Sequence, residues 1–71
     1  MQNPESDSLT PREGEVLTLM AQRLTNQQIA EQLSVSKKTV DFHVGNILQK
    51  MGVLNRVQAV VEAIRRGWVE I

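Results

Sequence analysis

The chain has 71 residues, with eight Lys or Arg, eight Asp or Glu and no Cys. A chain of this length forms one small domain that buries only about 60% of the surface it exposes when unfolded, so a large enclosed pocket is not expected. Because there is no cysteine, disulfides and thiolate metal sites are excluded, and hydrophobic packing must supply the stability.

The charges are unevenly spread along the chain. The first eight residues are polar, contain Glu5 and Asp7 and show no periodicity, which predicts a disordered tail or linker remnant over residues 1–8. The domain over residues 9–71 then has eight basic residues against six acidic ones. The chain lacks a run of roughly 18 apolar residues and a signal peptide, so we expect it to stay in the cytoplasm, away from the membrane.

The first helix is predicted to begin at Pro11. Thr10 can cap it, Pro11 occupies a position where its missing N–H costs nothing, and Glu13 can complete a capping box. The residues that then recur with helical spacing, and are expected to face inward, are Val16, Leu17, Met20, Ala21 and Leu24.

A second, shorter amphipathic helix is predicted from Asn26 to Leu33, with either Thr25 or Asn26 as its cap. Its inward residues are Ile29, Ala30 and Leu33. A tight turn over residues 34–36 leads directly into a third helix, and two helices joined in this way make a helix-turn-helix. Ala30 and Val40 fit the small and the branched residue that a steep helix crossing requires.

The third helix, over about residues 37–51 with Ser36 as cap, has two different faces. The stripe predicted to pack on the chain is Val40, Val44, Ile47, Leu48 and Met51. The opposite face carries Lys38, Phe42, Gly45, Asn46 and Gln49. That face is free to lie on a ligand.

A fourth helix is predicted from about Arg56 to Arg66, capped by Asn55 and closed by Gly67. One stripe consists of Val57, Val60, Val61 and Ile64, whereas Ala59 and Ala63 lie on another side. A helix with apolar residues on two sides has more than one partner. The alternative is that both sides cover the core together with Trp68.

Catalytic chemistry has little to build on in this sequence. There is one histidine and no cysteine. The carboxylates are expected to be scattered over solvated helix faces; they are Glu13, Glu15, Glu31, Glu62 and Glu70. We therefore expect no enzymatic activity, no metal site and no cofactor.

Several separate landmarks occur in order along the chain, namely LTPRE, NQQIAEQL, SKKTVDFHV, KMGV and NRVQAVV. On these landmarks the chain from Leu9 to about Val69 resembles the DNA-binding domain of the LuxR, NarL and GerE family of bacterial transcription regulators. The resemblance implies an all-α fold with a three-helix core, a helix-turn-helix and a C-terminal dimerisation helix. It also implies sequence-specific binding of double-stranded DNA.

The same resemblance places the third helix in the DNA major groove. The residues then expected on phosphate are Ser36, Lys37, Lys38, Thr39 and Lys50. Those expected to read bases are Asp41, Phe42, Gly45, Asn46 and Gln49. In the family the fourth helix commonly makes a homodimer contact, which here would involve Val57, Val60, Val61 and Ile64.

Five positions depart from the family pattern. Gly14 lies in the first turn of the first helix, where the family commonly has a longer charged side chain. Several relatives have basic or hydrogen-bonding side chains at the places of Asp41 and Gly45; Asp41 could instead accept a hydrogen bond from a cytosine amino group. Arg23 stands where relatives usually have Gly, so the first helix is expected to end without a left-handed residue. Ser34 stands where such turns often carry Gly.

Two questions stay open at the level of the sequence. The family usually joins this domain to a phosphoacceptor receiver, as in a response regulator, or to a small-ligand domain, but short members stand alone. Bound dimers would recruit or block RNA polymerase.

The second hypothesis is a pure protein-interaction domain, in which the zero net charge and Phe42 mean that the third helix docks in a protein groove.

Overall fold

The computed structural model describes residues 9–69, and within this range the chain forms four α-helices and no strand. They are α1 (Pro11–Ala21), α2 (Asn26–Leu33), α3 (Lys37–Met51) and α4 (Arg56–Arg65). The all-α fold class is confirmed. The tail predicted over residues 1–8 lies outside the described residues.

Each helix begins at a side-chain cap that the sequence predicted. The caps accept a hydrogen bond from the backbone N–H three residues later, at 3.1 Å for Thr10, Thr25 and Ser36 and at 2.9 Å for Asn55. Glu13 completes the capping box of α1 as expected. Of the two candidates for α2, Thr25 is the cap, and Gln28 gives α2 a second capping box that was not foreseen.

Each of the four helices is followed by a residue with a left-handed backbone. Ser34 after α2 has φ 59°, Gly52 after α3 has φ 72°, Gly67 after α4 has φ 75° and Arg23 after α1 has φ 69°. The expectation that α1 closes without such a residue was wrong. The connection to α2 is only a few residues long, so the chain must reverse at once, and the left-handed turn lets Leu24 N–H donate to the Leu19 carbonyl at 3.3 Å.

The core lies where the helices cross, and the predicted stripes line it. The largest fully buried side chains are Val16, Leu17, Ile29, Val40 and Ile47. Ala30 and Val40, at the predicted crossing of α2 and α3, are 1% and 0% exposed. Val44 and Leu48 are half-buried and pack against this core. The inner face of α3 is thereby fixed against the domain.

Glu13 corrects one expectation. It was predicted on a solvated face but is 3% exposed. Its Oε1 accepts a hydrogen bond from the Thr10 backbone at 3.0 Å and another from Lys50 Nζ at 2.8 Å. Lys50 is 37 residues away in sequence, so this pairing follows from the packing of α1 on α3 and has no local signal.

The two sides of α4 have different environments. Ala59 and Ala63 are fully buried and form its core side. Val60 and Ile64 are half-buried against the core, whereas Val57 is 68% and Val61 51% exposed. The alternative in which all of the apolar residues of α4 serve the core is therefore wrong.

Candidate nucleic-acid interface

The outer face of α3 is the exposed surface that the sequence singled out. Lys38, Phe42, Gly45 and Gln49 are exposed, and Asn46 is half-buried. Phe42 is 66% exposed, and its ring lies 6.0 Å from that of His43 between centroids. Exposing a large aromatic side chain to water to this degree does not stabilise the fold, because its apolar surface is not removed from water. The face therefore presents an apolar group and polar groups side by side.

The start of α3 is built around the hydroxyl groups of Ser36 and Thr39. Ser36 Oγ accepts the Thr39 N–H at 3.1 Å, and the two hydroxyl oxygens lie 2.9 Å apart. The remaining N–H groups of the first turn keep the partial positive charge of a helix N-terminus. Lys37 and Lys38 lie beside them; the charge of Lys37 is offset by Asp41, and that of Lys38 adds to the positive end of α3, so this end attracts anions.

Lys37 and Asp41, one turn apart on α3, form an ion pair. Lys37 Nζ lies 3.0 Å from Asp41 Oδ2 and 3.3 Å from Oδ1, and both side chains are about half exposed. Asp41 Oδ1 also accepts a hydrogen bond from Asn26 Nδ2 at 2.8 Å. The bond from Asn26, followed by that from Lys37, lowers the pKa of Asp41, so its carboxylate stays ionised.

The contacts of Asp41 extend to residues that sequence reasoning missed. Arg56, the first residue of α4, donates to Asn26 Oδ1 at 2.7 Å and to the Leu24 carbonyl at 3.1 Å. One signal could have pointed to Arg56. A cation in the first turn of a helix opposes the helix dipole, so its presence there calls for a compensating acceptor elsewhere in the fold.

Lys50 has a structural partner. Its Nζ neutralises the buried carboxylate of Glu13. Burial by itself would raise the pKa of Glu13, but the hydrogen bonds from Lys50 and the Thr10 backbone outweigh that effect and lower it. Lys50 lies in the last turn of α3, far from Lys37 and Lys38 at its start. The ion pair with Glu13 therefore competes with the predicted contact between Lys50 and a DNA phosphate.

A second candidate surface is an open, mainly apolar groove of about 520 Å³ between α4 and the end of α1. It contains all four residues predicted for dimerisation, with Met20 and Leu24 on the opposite wall. Arg56 lines the same groove. This surface is distinct from the outer face of α3.

The model of a known protein family, described as bacterial regulatory proteins of the luxR family, matches residues 7–63. The chain belongs to this family. The luxR family consists of transcription regulators and is not an enzyme class, which confirms the prediction that the chain is not an enzyme.

Individual members of the luxR family are similar over nearly the whole chain. The spore germination protein GerE of Bacillus subtilis is 49% identical over 63 residues, covering 89% of this chain and 85% of GerE. The transcriptional regulatory protein DegU of Brevibacillus brevis is 57% identical over 63 residues. The chain spans only 27% of the length of DegU.

The fold is also that of a solved luxR-family structure. The structure of the transcription factor GerE superimposes with a TM-score of 0.82 at 40% identity, covering 89% of this chain and 94% of that one. This similarity confirms the four-helix helix-turn-helix fold. Among residues 9–69 no helix is long and apolar enough to cross a membrane, and no three potential metal-ligand side chains cluster.

Proposed function

We propose that this luxR-family domain binds double-stranded DNA sequence-specifically, with α3 in the major groove. The observation that carries the proposal is the division of α3 into a buried inner face and an exposed outer face with Phe42 at its centre. A helix is about 10–12 Å wide, and the major groove is about 12 Å wide. The outer face can therefore reach base edges while the inner face stays packed.

Phosphate contacts are proposed at the start of α3, through Ser36, Lys37, Lys38 and Thr39. Support comes from the free N–H groups of the first turn and the two lysines beside them. Within residues 9–69, Lys38 has no carboxylate in ion-pair contact. Its charge is thus available to DNA without first breaking a bond. Lys50 is assigned to Glu13 and is expected to contribute less.

Base readout is proposed for Phe42, Gly45, Asn46 and Gln49. The Phe42 ring can contact a thymine methyl, and the amides of Asn46 and Gln49 can pair with adenine. Gly45 leaves the helix backbone free to approach the bases. Asp41 is left out of this set, because its carboxylate already has two partners in the domain.

A homodimer is proposed through α4. Val57 and Val61 are exposed, Val60 and Ile64 are half-buried beside them, and all four line one groove. A second copy packed there by a two-fold axis would bury these side chains and would bind two inverted half-sites. Such a dimer compensates for the small number of cations on each α3.

The proposed biological role is regulation of transcription in the bacterial cytoplasm, where bound dimers recruit or block RNA polymerase. The same contacts serve a stand-alone regulator and the output domain of a response regulator.

Selection of bound duplexes from a random DNA pool at moderate salt tests the proposal. We expect enrichment of two inverted half-sites, and Lys38→Ala should weaken binding to all duplexes and reduce the salt slope by about 0.9. Arg65→Ala is the matched control, because Arg65 lies at the far end of α4, and it should leave the slope unchanged. If the folded protein enriches no DNA sequence, or if its binding does not change with salt, the result would favour a protein-binding role for α3 instead.

A further inference from the structure

One chain of polar contacts joins the first residues of three helices. Arg56 begins α4, Asn26 begins α2 and Lys37 begins α3. Arg56 donates to Asn26 Oδ1 at 2.7 Å, Asn26 donates to Asp41 at 2.8 Å, and Lys37 donates to Asp41 at 3.0 Å. Asp41 is the one acid among these four side chains, and its carboxylate accepts hydrogen bonds from both Asn26 and Lys37.

The chemistry of the partners fixes the direction of this chain. A guanidinium only donates hydrogen bonds, and an ionised carboxylate only accepts them. The Asn26 amide, with one oxygen and one NH2 group, can satisfy Arg56 and Asp41 together in only one orientation. Arg56 thereby orients Asn26, and Asn26 holds the carboxylate of Asp41 where Lys37 can reach it.

Lys37 consequently has an anionic partner before any DNA is present. The Asp41 carboxylate offers it the same charge and the same kind of oxygen acceptor as a DNA phosphate. A phosphate that arrives at the start of α3 must compete with Asp41 for Lys37, and it is repelled by the carboxylate itself. Lys38, the next residue, meets no such competitor within residues 9–69.

We propose that Asp41 is a positioning residue that stands in for a DNA phosphate on Lys37 and so lowers the affinity of α3 for every duplex. Asn26 and Arg56 keep the carboxylate in place. This inference rests on the proposed function, and it replaces base readout as the role of Asp41. Because the competition does not involve base edges, it acts alike on target and non-target sequences.

The first test compares Asp41→Ala and Asp41→Asn with the unchanged domain by fluorescence anisotropy on a target duplex and a scrambled duplex. Both variants should bind both duplexes about three- to ten-fold more tightly. The salt slope should become steeper by about 0.9, because one more phosphate is neutralised. The preferred sequence should stay the same. A purely structural role would alter neither affinity nor slope while the domain is folded.

Glu15→Ala is the matched control. Glu15 forms an exposed ion pair with Arg12 at 3.3 Å on α1. Glu15→Ala therefore changes the net charge by the same amount as Asp41→Ala and also frees Arg12 from its ion pair. It should leave the affinity for DNA within about two-fold. An equal gain from Glu15→Ala would mean that net charge alone explains the effect and would overturn the proposal.

The second test uses Lys37. In the unchanged domain Lys37→Ala should cost less affinity than Lys38→Ala, whereas in the Asp41→Ala background the two losses should be equal. A changed base preference in Asp41→Ala would restore Asp41 as a base reader and refute our inference. Unaltered affinity, slope and preference would also refute it. If the unchanged domain binds no duplex at all, the proposed function itself fails.

Discussion

Gly14 in α1 and Gly45 in α3 form a natural pair for comparison at the scale of single residues. Each lies inside a helix, and a Cβ added at either would meet nothing within 4 Å. The domain itself therefore does not require glycine at these positions. Glycine inside a helix costs up to about 1 kcal/mol relative to alanine. The two glycines differ in place, because Gly45 lies on the outer face of α3 that is proposed to meet DNA, whereas Gly14 lies on α1.

We expect Gly14→Ala and Gly45→Ala each to stabilise the domain by up to about 1 kcal/mol. Only Gly45→Ala should weaken DNA binding, because its methyl group would occupy the space needed for close approach of α3 to the bases. Urea unfolding and anisotropy titrations measure the two effects. Unchanged DNA affinity in Gly45→Ala, at the level of the Gly14→Ala control, would show that α3 does not approach DNA closely at Gly45.

The ion pair between Glu13 and Lys50 is asymmetric, because the Glu13 side chain is 4% exposed and that of Lys50 is 36% exposed. Removing the cation leaves a buried carboxylate without its partner, whereas removing the carboxylate leaves a lysine that can turn toward water. We expect Lys50→Met to lower the free energy of unfolding at pH 7 by about 3 kcal/mol. Glu13→Gln should cost less, about 1–2 kcal/mol.

The same pair predicts how stability changes with pH. Since folding lowers the pKa of Glu13 from its ordinary value of 4.5, its contribution is fully present above that pH and is lost as the pH falls through the lower folded pKa. The difference in unfolding free energy between the unchanged domain and Glu13→Gln should therefore shrink below pH 4.5. Urea unfolding at pH 7 and at successively lower pH checks this. A constant difference over that range would contradict the assignment.

At the scale of whole elements, all four helix starts were predicted from the sequence, whereas the ends were predicted unevenly: Gly67 follows α4 with a left-handed backbone, as its type suggests, but the end of α1 was not foreseen. A helix begins at a hydroxyl or amide side chain that accepts a hydrogen bond from a backbone N–H a few residues later, so Thr10 and Asn55 could be identified as caps from their residue types. Arg23 gives no such signal at the end of α1. Its left-handed backbone results from the short connection to α2, which is a constraint of packing and not of residue type.

We expect Ser34→Gly and Arg23→Gly to raise the free energy of unfolding by about 0.5–1 kcal/mol each, since a left-handed backbone costs roughly 1–2 kcal/mol in a residue with a Cβ. Gly52→Ala, which introduces that cost at φ 72°, should lower stability by a similar amount. Thermal unfolding monitored by circular dichroism measures all three. A loss of stability in Ser34→Gly would mean that the serine side chain has a compensating role in the turn.

At the scale of the whole molecule, the proposed DNA surface and the proposed dimer surface lie on different helices. A charge placed on α4 should therefore affect pairing without touching α3. We expect Val61→Asp to be a folded monomer in sedimentation experiments and to bind an inverted repeat about a hundred-fold more weakly. Binding to a single half-site should change much less.

Gln32→Asp, on an exposed position of α2, is the control for Val61→Asp and should leave the association of the domain unchanged. If Val61→Asp sediments like the unchanged protein, the groove beside α4 is not the dimer contact. The half-site measurement separates loss of pairing from loss of DNA binding itself.

The fold and the outer face of α3 could be predicted because both follow from helical periodicity, which needs only the order of residues. The polar contacts between helices could not. Glu13 pairs with Lys50 across 37 positions and Arg56 with Asn26 across 30, and such partners are chosen by how the helices pack. The position of Asp41 on α3 was therefore foreseen, whereas its bond to Asn26 was visible only in three dimensions.

The four side-chain caps have a consequence for how quickly the domain folds. Each lies only three residues from the N–H that it binds, so the beginnings of the helices can form before distant parts of the chain meet. Small helical domains whose contacts are mostly local fold in microseconds to milliseconds. We expect this chain to refold on that timescale after rapid dilution from urea, with Thr10→Ala slowing the step if the start of α1 is already formed in the transition state.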